Sequence, residues 1–167
     1  MTRIYIVGSV GSGKTTLAKK LSSELNVPHI ELDNVTWEYN PNGRDRKRSV
    51  VERTEMFSTI VNRENWIMEN VGREEYNGGF DRADAIIYLK INRLVLYKQI
   101  FMRWIKQRQG IEESAYPPDF KMLRQMFAWA NKELNNSKLN NLGPYKDKLL
   151  VLNHKQARNY KYDGKRY

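Results

Sequence analysis

The chain of 167 residues is long enough for one domain with a central sheet and helices on both faces. It contains no cysteine, which excludes disulfide bridges and thiolate metal sites and is typical of a reducing compartment. The net charge of +10 is uneven, because residues 1–100 carry 15 Lys and Arg against 13 Asp and Glu, whereas residues 101–167 carry 14 against 6. The basic last third should attract phosphate groups, whether of a nucleotide, a small molecule or a nucleic acid.

The apolar run at the beginning of the chain lacks the length and the cleavage site of a signal peptide. No later run approaches the length that a membrane span requires. We therefore expect a soluble, cytoplasmic protein with no membrane partner.

Predicted strands and helices alternate along the chain. Short apolar runs predict strands at 3–7, 29–32, 66–68, 84–89 and 148–152. Apolar residues at helical spacing predict helices at 14–25, 49–62 and 94–109, with Ser49 as the cap of the second, and a further helix that Asp119 caps. The polar stretch 39–48 predicts an exposed loop. This alternation predicts an α/β fold over residues 1–167, with a five-stranded, mainly parallel sheet flanked by helices.

A glycine-rich segment joins the first predicted strand to the first predicted helix. Its sequence, GSVGSGKT at 8–15, fits the Walker A pattern G-x-x-x-x-G-K-[ST]. Glycines let backbone N–H groups turn toward an anion, and the helix N-terminus adds the positive end of its dipole. Lys14 would reach the outer phosphates of a nucleotide, and the Thr15 hydroxyl would ligate Mg²⁺. The predicted residues that bind a nucleoside triphosphate are Gly8, Ser9, Gly11, Ser12, Gly13, Lys14, Thr15 and Thr16.

Two other classes of P-loop protein fit the sequence poorly. A GTPase should carry Asn-Lys-x-Asp, but the nearest string, at 131–134, is NKEL and lacks the aspartate. A motor or transporter ATPase should end an apolar strand in a pair of acidic residues, whereas the fourth predicted strand ends in Leu89-Lys90. Small size and a single P-loop therefore favour a small P-loop kinase.

Four segments resemble the adenylate-kinase-related family of small P-loop kinases. They are IVGSVGSGKTT at 6–16, ELDNVTW at 31–37, WIMENVGR at 66–73 and FKMLRQMF at 120–127. Within this family the resemblance is closest to bacterial proteins labelled DNA topology modulation proteins. It implies a nucleotide-kinase-like fold, ATP and Mg²⁺ as cofactors, a substrate-binding insert at about 34–64 and a lid at about 108–120. Adenylate kinases carry Asp-Gly-Phe-Pro-Arg where this chain has ENVGR at 69–73, so only the arginine of that motif is kept.

Two acidic residues follow predicted strands at the sheet edge where open α/β folds bind ligands. The resemblance implies that Asp33 takes the proton of the acceptor hydroxyl or contacts Mg²⁺ through water; a turn cap before Asn34 is the alternative. Glu69 suits a water-mediated contact with Mg²⁺, or it is simply a solvated strand end. The predicted metal-binding residues are Thr15, Asp33 and Glu69.

The resemblance also places the acceptor against the insert. The candidate substrate-binding residues are Trp37, Arg44, Arg48, Arg53 and Arg73. Arg73 matches the arginine that holds the acceptor phosphate in nucleotide kinases, and an ion pair with Glu74 or Glu75 is the alternative. For Trp37 the alternative is burial in the core.

Two arginines on the long helix at 94–109 precede the predicted lid. Arg103 and Arg108 suit the neutralisation of charge on a transferred phosphoryl group. The alternative is that they lie on an amphipathic helix with their charged groups in solvent. The predicted catalytic residues are therefore Lys14, Asp33, Arg103 and Arg108. His29 and His154 have no metal-ligand spacing, and the sequence assigns them no chemistry.

These observations favour ATP- and Mg²⁺-dependent phosphoryl transfer to a small acceptor, with nucleotides and nucleosides as candidates. An ATP-responsive nucleic-acid-binding regulator of DNA topology and a slow NTP hydrolase remain as alternatives. The chain has no evident helix-turn-helix. We therefore expect DNA binding to be weak, non-specific and steeply salt-dependent, with dissociation constants of roughly 10⁻⁴–10⁻⁶ M.

Overall fold

Strands and helices alternate in the computed structural model, which describes residues 1–40, 45–112, 114, 117–135 and 138–164. The strands are β1 (Thr2–Gly8), β2 (His29–Glu31), β3 (Trp37–Glu38), β4 (Arg46–Lys47), β5 (Asn65–Asn70), β6 (Ala85–Leu89) and β7 (Leu149–Leu152). The α-helices are α1 (Lys14–Leu25), α2 (Asp33–Thr36), α3 (Val50–Val61), α4 (Gly78–Arg82), α5 (Arg93–Arg108), α6 (Phe120–Asn135) and α7 (His154–Asn159). Glu74–Tyr76 and Lys138–Lys148 form 3₁₀ segments.

The main sheet has five strands in the order β2-β5-β1-β6-β7, and each of its neighbouring pairs is parallel. This arrangement confirms the predicted five-stranded sheet flanked by helices. The carboxyl ends of β2, β5 and β1 are neighbours at one edge of the sheet, because parallel strands all end on the same side. The residues that follow these strands therefore lie close together.

Both faces of the sheet are covered by apolar packing. On β1, Ile4 and Ile6 belong to one buried cluster, whereas Tyr5 and Val7 belong to another, as the alternation of side chains along a strand requires. The first cluster includes residues of α1, α5 and α6, and the second includes residues of α3 and α4. In the part of the chain that the structure describes, no helix combines the length and the hydrophobicity that crossing a membrane requires.

The segment between β2 and β5 contains two short antiparallel strands and a capped helix. Strand β4, which pairs antiparallel with β3, corrects the prediction of a loop over all of 39–48, and the Arg46 side chain pairs with Glu38 and Glu52. Ser49 caps α3 as predicted, because its side chain accepts from the Glu52 N–H while the Glu52 carboxylate accepts from the Ser49 N–H. The hydrogen bonds from Arg46 and Ser49 lower the pKa of Glu52 to about 2.

Candidate active site

The loop between β1 and α1 has a backbone path that requires glycine. Gly11 and Gly13 have φ values of +76° and +90°, in the left-handed region. A Cβ on Gly8 would lie 2.7 Å from Oγ of Ser12 and 3.0 Å from Cβ of Leu89. The N-cap of α1, Gly13, has no side chain that could cap the helix, so the positive end of the helix dipole faces the loop.

A substitution of Gly11 tests how closely this loop packs against α5. A Cβ on Gly11 would lie 2.7 Å from Cγ1 of Ile100, which is fully buried. We expect Gly11→Ala to lower the free energy of unfolding by about 1–3 kcal/mol beyond the cost of the left-handed backbone, measured by urea denaturation.

The matched control is Gly110→Ala. Gly110 also has a positive φ, +70°, but a Cβ there would meet no atom within 4 Å. It should suffer only the backbone cost of about 1–2 kcal/mol. Equal losses in the two variants would contradict tight packing of the loop against α5.

Lys14 folds back over the loop that precedes it. Its side chain is largely buried, and Nζ donates a hydrogen bond of 2.9 Å to the carbonyl oxygen of Ser9. Ser12 is also buried, and within the described residues its hydroxyl has no hydrogen-bond partner. An ammonium and an unsatisfied hydroxyl in a glycine-lined loop suit phosphate oxygens, which accept hydrogen bonds.

Thr15 and Glu69 form a direct contact beside the loop. The Thr15 hydroxyl donates a hydrogen bond of 2.5 Å to Oε1 of Glu69, which is buried near the end of β5. Burial raises the pKa of Glu69, but the nearby His29 imidazole, the charge of Lys14 and the hydrogen bond from Thr15 together hold it below its usual value. The carboxyl group is therefore ionised at neutral pH. Since the proton of Thr15 points to Glu69, the lone pairs of the hydroxyl remain available to a cation. This donor set fits Mg²⁺, which prefers oxygen ligands.

Two residues of β2 complete this group, although the sequence assigned them no role. One side-chain ligand atom from each of His29, Glu31 and Glu69 lies within 4.8 Å of the others. Strand alternation puts His29 and Glu31 on one face, and the parallel register pairs Glu31 with Glu69. The alternation was visible in the sequence, but the pairing of β2 with β5 was not.

Asp33 and Arg73 form an ion pair at the same edge of the sheet. Nη2 of Arg73 lies 2.7 Å from Oδ1 of Asp33, and Nε lies 3.3 Å from the same oxygen. Asp33 begins α2, with Leu32 between it and the end of β2, and 55% of its side chain is exposed. The buried Asn70 positions Arg73, because Oδ1 of Asn70 accepts from the N–H groups of Gly72 and Arg73. The Arg73 guanidinium thus pairs with an acidic residue that follows a different strand, and its sequence neighbour Glu75 pairs with Arg53.

The other predicted acceptor-binding residues make contacts within the segment between β2 and β5 or with the 3₁₀ segment after it. Arg48 donates 2.7 Å hydrogen bonds to the carbonyl oxygens of Asn34 and Trp37. Arg53 is buried and pairs with Glu75. Trp37 is 40% exposed and lies outside the core, with the Lys47 ammonium 6.0 Å from its ring centroid. Arg44 lies outside the described residues.

Arg103 and Arg108 contact the end of α5 and the segment that follows it. Nε of Arg103 lies 3.1 Å from a carboxylate oxygen of Glu112. The Arg108 guanidinium lies 5.1 Å from the ring centroid of Trp104 and 5.5 Å from that of Phe120. The structure therefore joins Lys14, Thr15 and Glu69 directly and pairs Asp33 with Arg73, whereas these two arginines have partners of their own.

The sequence and the fold of the chain can be compared with those of known proteins. No protein-family model matches the chain. A shikimate kinase of Bacteroides fragilis is 54% identical over 33 residues, which cover 20% of this chain and only 18% of the length of that kinase.

Solved structures match over nearly the whole chain. The shikimate kinase from Acinetobacter baumannii in complex with shikimate aligns with a TM-score of 0.55 and 14% identity, over 95% of this chain and 90% of that one. The deoxyadenosine kinase from M. mycoides with bound dATP aligns with a TM-score of 0.53 and 15% identity, over 92% of each chain. The chain therefore has the fold of these P-loop kinases.

Proposed function

We propose that this protein transfers the terminal phosphoryl group of ATP, with Mg²⁺, to a hydroxyl group of a small acceptor. The observation that carries the proposal is the convergence of two groups at one sheet edge. Lys14, Thr15 and Glu69 suit a nucleotide and its metal, and the Asp33–Arg73 pair lies after the neighbouring strand ends. Phosphoryl transfer depends mainly on such positioning and on charge neutralisation.

The loop residues hold the donor nucleotide. The Lys14 ammonium exchanges the carbonyl of Ser9 for the outer phosphates, and the glycine-lined backbone and the hydroxyl of Ser12 donate to phosphate oxygens. Thr15 offers an oxygen ligand while Glu69 keeps its proton oriented. When bound, Mg²⁺ supplies positive charge to the phosphates that this basic loop only partly neutralises.

Asp33 receives the proton of the attacking hydroxyl. Its carboxylate is exposed to an acceptor, and Arg73 fixes its orientation through one oxygen. The acceptor oxygen forms a bond to the terminal phosphorus, the bond to the leaving ADP oxygen breaks, and the proton passes to Asp33. The remaining guanidinium N–H groups of Arg73 can donate to the acceptor.

We expect the insert at about 34–64 to bind the acceptor and the segment at about 108–120 to act as a lid. Residues 41–44, 113, 115 and 116 of these two segments lie outside the described residues. The named relatives phosphorylate shikimate and deoxyadenosine, so a small hydroxy acid and a nucleoside are the first classes to test. Arg103 and Arg108 would need to leave Glu112 and the rings of α5 and α6 to reach a phosphoryl group.

A phosphate-transfer screen tests the proposal. Purified protein is incubated with ATP and Mg²⁺ and a panel of nucleosides, nucleotides, sugars and small hydroxy acids, and products are identified by mass. We expect at least one acceptor to gain a phosphoryl group in a reaction that EDTA stops. Binding of ATP without phosphorylation of any panel member would contradict transfer to these acceptor classes.

A further inference from the structure

A histidine lies behind the carboxylate that contacts the phosphate loop. His29 is the first residue of β2, and its side chain is only 11% exposed. Nε2 lies 3.5 Å from Oε1 of Glu69, the same oxygen that accepts the Thr15 hydroxyl proton. Nε2 is buried and has no hydrogen-bond partner among the described residues, so its contact with Glu69 is electrostatic. The imidazole approaches Glu69 from β2, whereas Thr15 contacts it from the loop.

The surroundings of Glu69 explain why such a contact is needed. A buried carboxylate loses hydration and requires donors in compensation. The Glu31 carboxylate is close as well, since ligand atoms of His29, Glu31 and Glu69 all lie within 4.8 Å of one another. Two carboxylates this close repel each other. An imidazole N–H close to both carboxylates would offset this repulsion and restrict the direction in which Glu69 points.

We propose that His29 is a positioning residue for the cation site at the phosphate loop. Its Nε2–H attracts Oε1 of Glu69 and so holds the carboxylate where it accepts the proton of Thr15. The oriented Thr15 oxygen is then presented to the cation of a bound nucleotide. This role rests on the proposed function, because it requires a Mg²⁺–nucleotide at this loop.

Two replacements of similar volume separate positioning from packing. His29→Gln keeps a side-chain N–H donor near the place of Nε2, whereas His29→Leu fills the space without a donor. His154, the other histidine of the chain, supplies the control His154→Leu, since it is exposed at the start of α7 and contacts Gln99.

The measurement is the Mg²⁺ concentration that gives half of the melting-temperature shift produced by a non-hydrolysable ATP analogue. Loss of a residue that orients a metal ligand typically weakens metal affinity 10- to 100-fold. We expect His29→Leu to raise the half-maximal Mg²⁺ concentration by at least about 10-fold. His29→Gln and His154→Leu should stay close to the wild-type value. Binding of the analogue in EDTA should be the same in all four proteins.

Three other outcomes would contradict the role of His29 or the proposed function on which it rests. If the half-maximal Mg²⁺ concentration is the same in His29→Leu as in His29→Gln, the side-chain N–H has no effect and His29 only fills space. If a His29 variant binds the analogue more weakly in EDTA by the same factor as it does with Mg²⁺, the substitution damages the loop itself. A wild-type protein with no Mg²⁺-dependent shift would contradict the proposed function and not the role of His29 alone.

Discussion

Replacing Lys14 with alanine is expected to abolish the stabilisation of this protein by a non-hydrolysable ATP analogue with Mg²⁺. In the wild type, ligand at ~100 times its dissociation constant adds ~2.7 kcal/mol to the free energy of unfolding. Lys14 supplies the ammonium of the loop, and its Nζ donates to the neutral carbonyl oxygen of Ser9. Without that charge the outer phosphates lose their strongest donor, whereas the unliganded melting temperature should change little.

Lys19→Ala is the matched control for this experiment, because Lys19 is an exposed lysine on the same helix. Thermal denaturation of the wild type and both variants, with and without Mg²⁺ and the analogue, provides the comparison. A full shift in Lys14→Ala would rule out the loop as the phosphate-binding site.

The second large effect is expected for Asp33→Asn, which should slow phosphoryl transfer by ~10²-fold or more, equivalent to about 2.7 kcal/mol of barrier. Asparagine keeps an oxygen that can accept from Arg73, so the local geometry should survive. It cannot take up the proton of the attacking hydroxyl. Binding of Mg²⁺ and the ATP analogue should remain, since Asp33 lies on the acceptor side of the proposed site.

Asp84→Asn is the control, because the Asp84 carboxylate accepts from the Arg3 N–H near the other end of the sheet. Transfer rate and analogue binding are measured in parallel on the wild type and both variants. An unchanged transfer rate in Asp33→Asn would mean that Asp33 has no catalytic role and serves only as the first residue of α2.

Local patterns account for the parts of the fold that the sequence predicted. Helix α1 has the predicted bounds Lys14–Leu25, because its leucines repeat at helical spacing and a glycine precedes it. The cap of α3 was predicted because Ser49 precedes apolar residues at helical spacing, and the structure adds the contribution of Glu52. Helix α2, Asp33–Thr36, was missed, since four residues are too few to show a helical period.

The candidate site depends more on contacts between distant parts of the chain. Glycine spacing alone predicted the loop, but the contact of Thr15 with Glu69 follows from the pairing of β1 with β5. The role of His29 depends on the register of β2 against β5. The basic residues at 44–53 do not show from the sequence alone what they bind. In the structure Arg48 donates to backbone carbonyls.

The most direct measurement follows the terminal phosphate of ATP itself. ATP labelled at the γ-phosphate is incubated with wild-type protein, Mg²⁺ and the acceptor panel, and the label is then separated into ATP, inorganic phosphate and organic products. We expect label on an organic acceptor, formed only with Mg²⁺ and absent with Lys14→Ala. Recovery of the label only as inorganic phosphate, or only as unreacted ATP, would contradict phosphoryl transfer to a small acceptor.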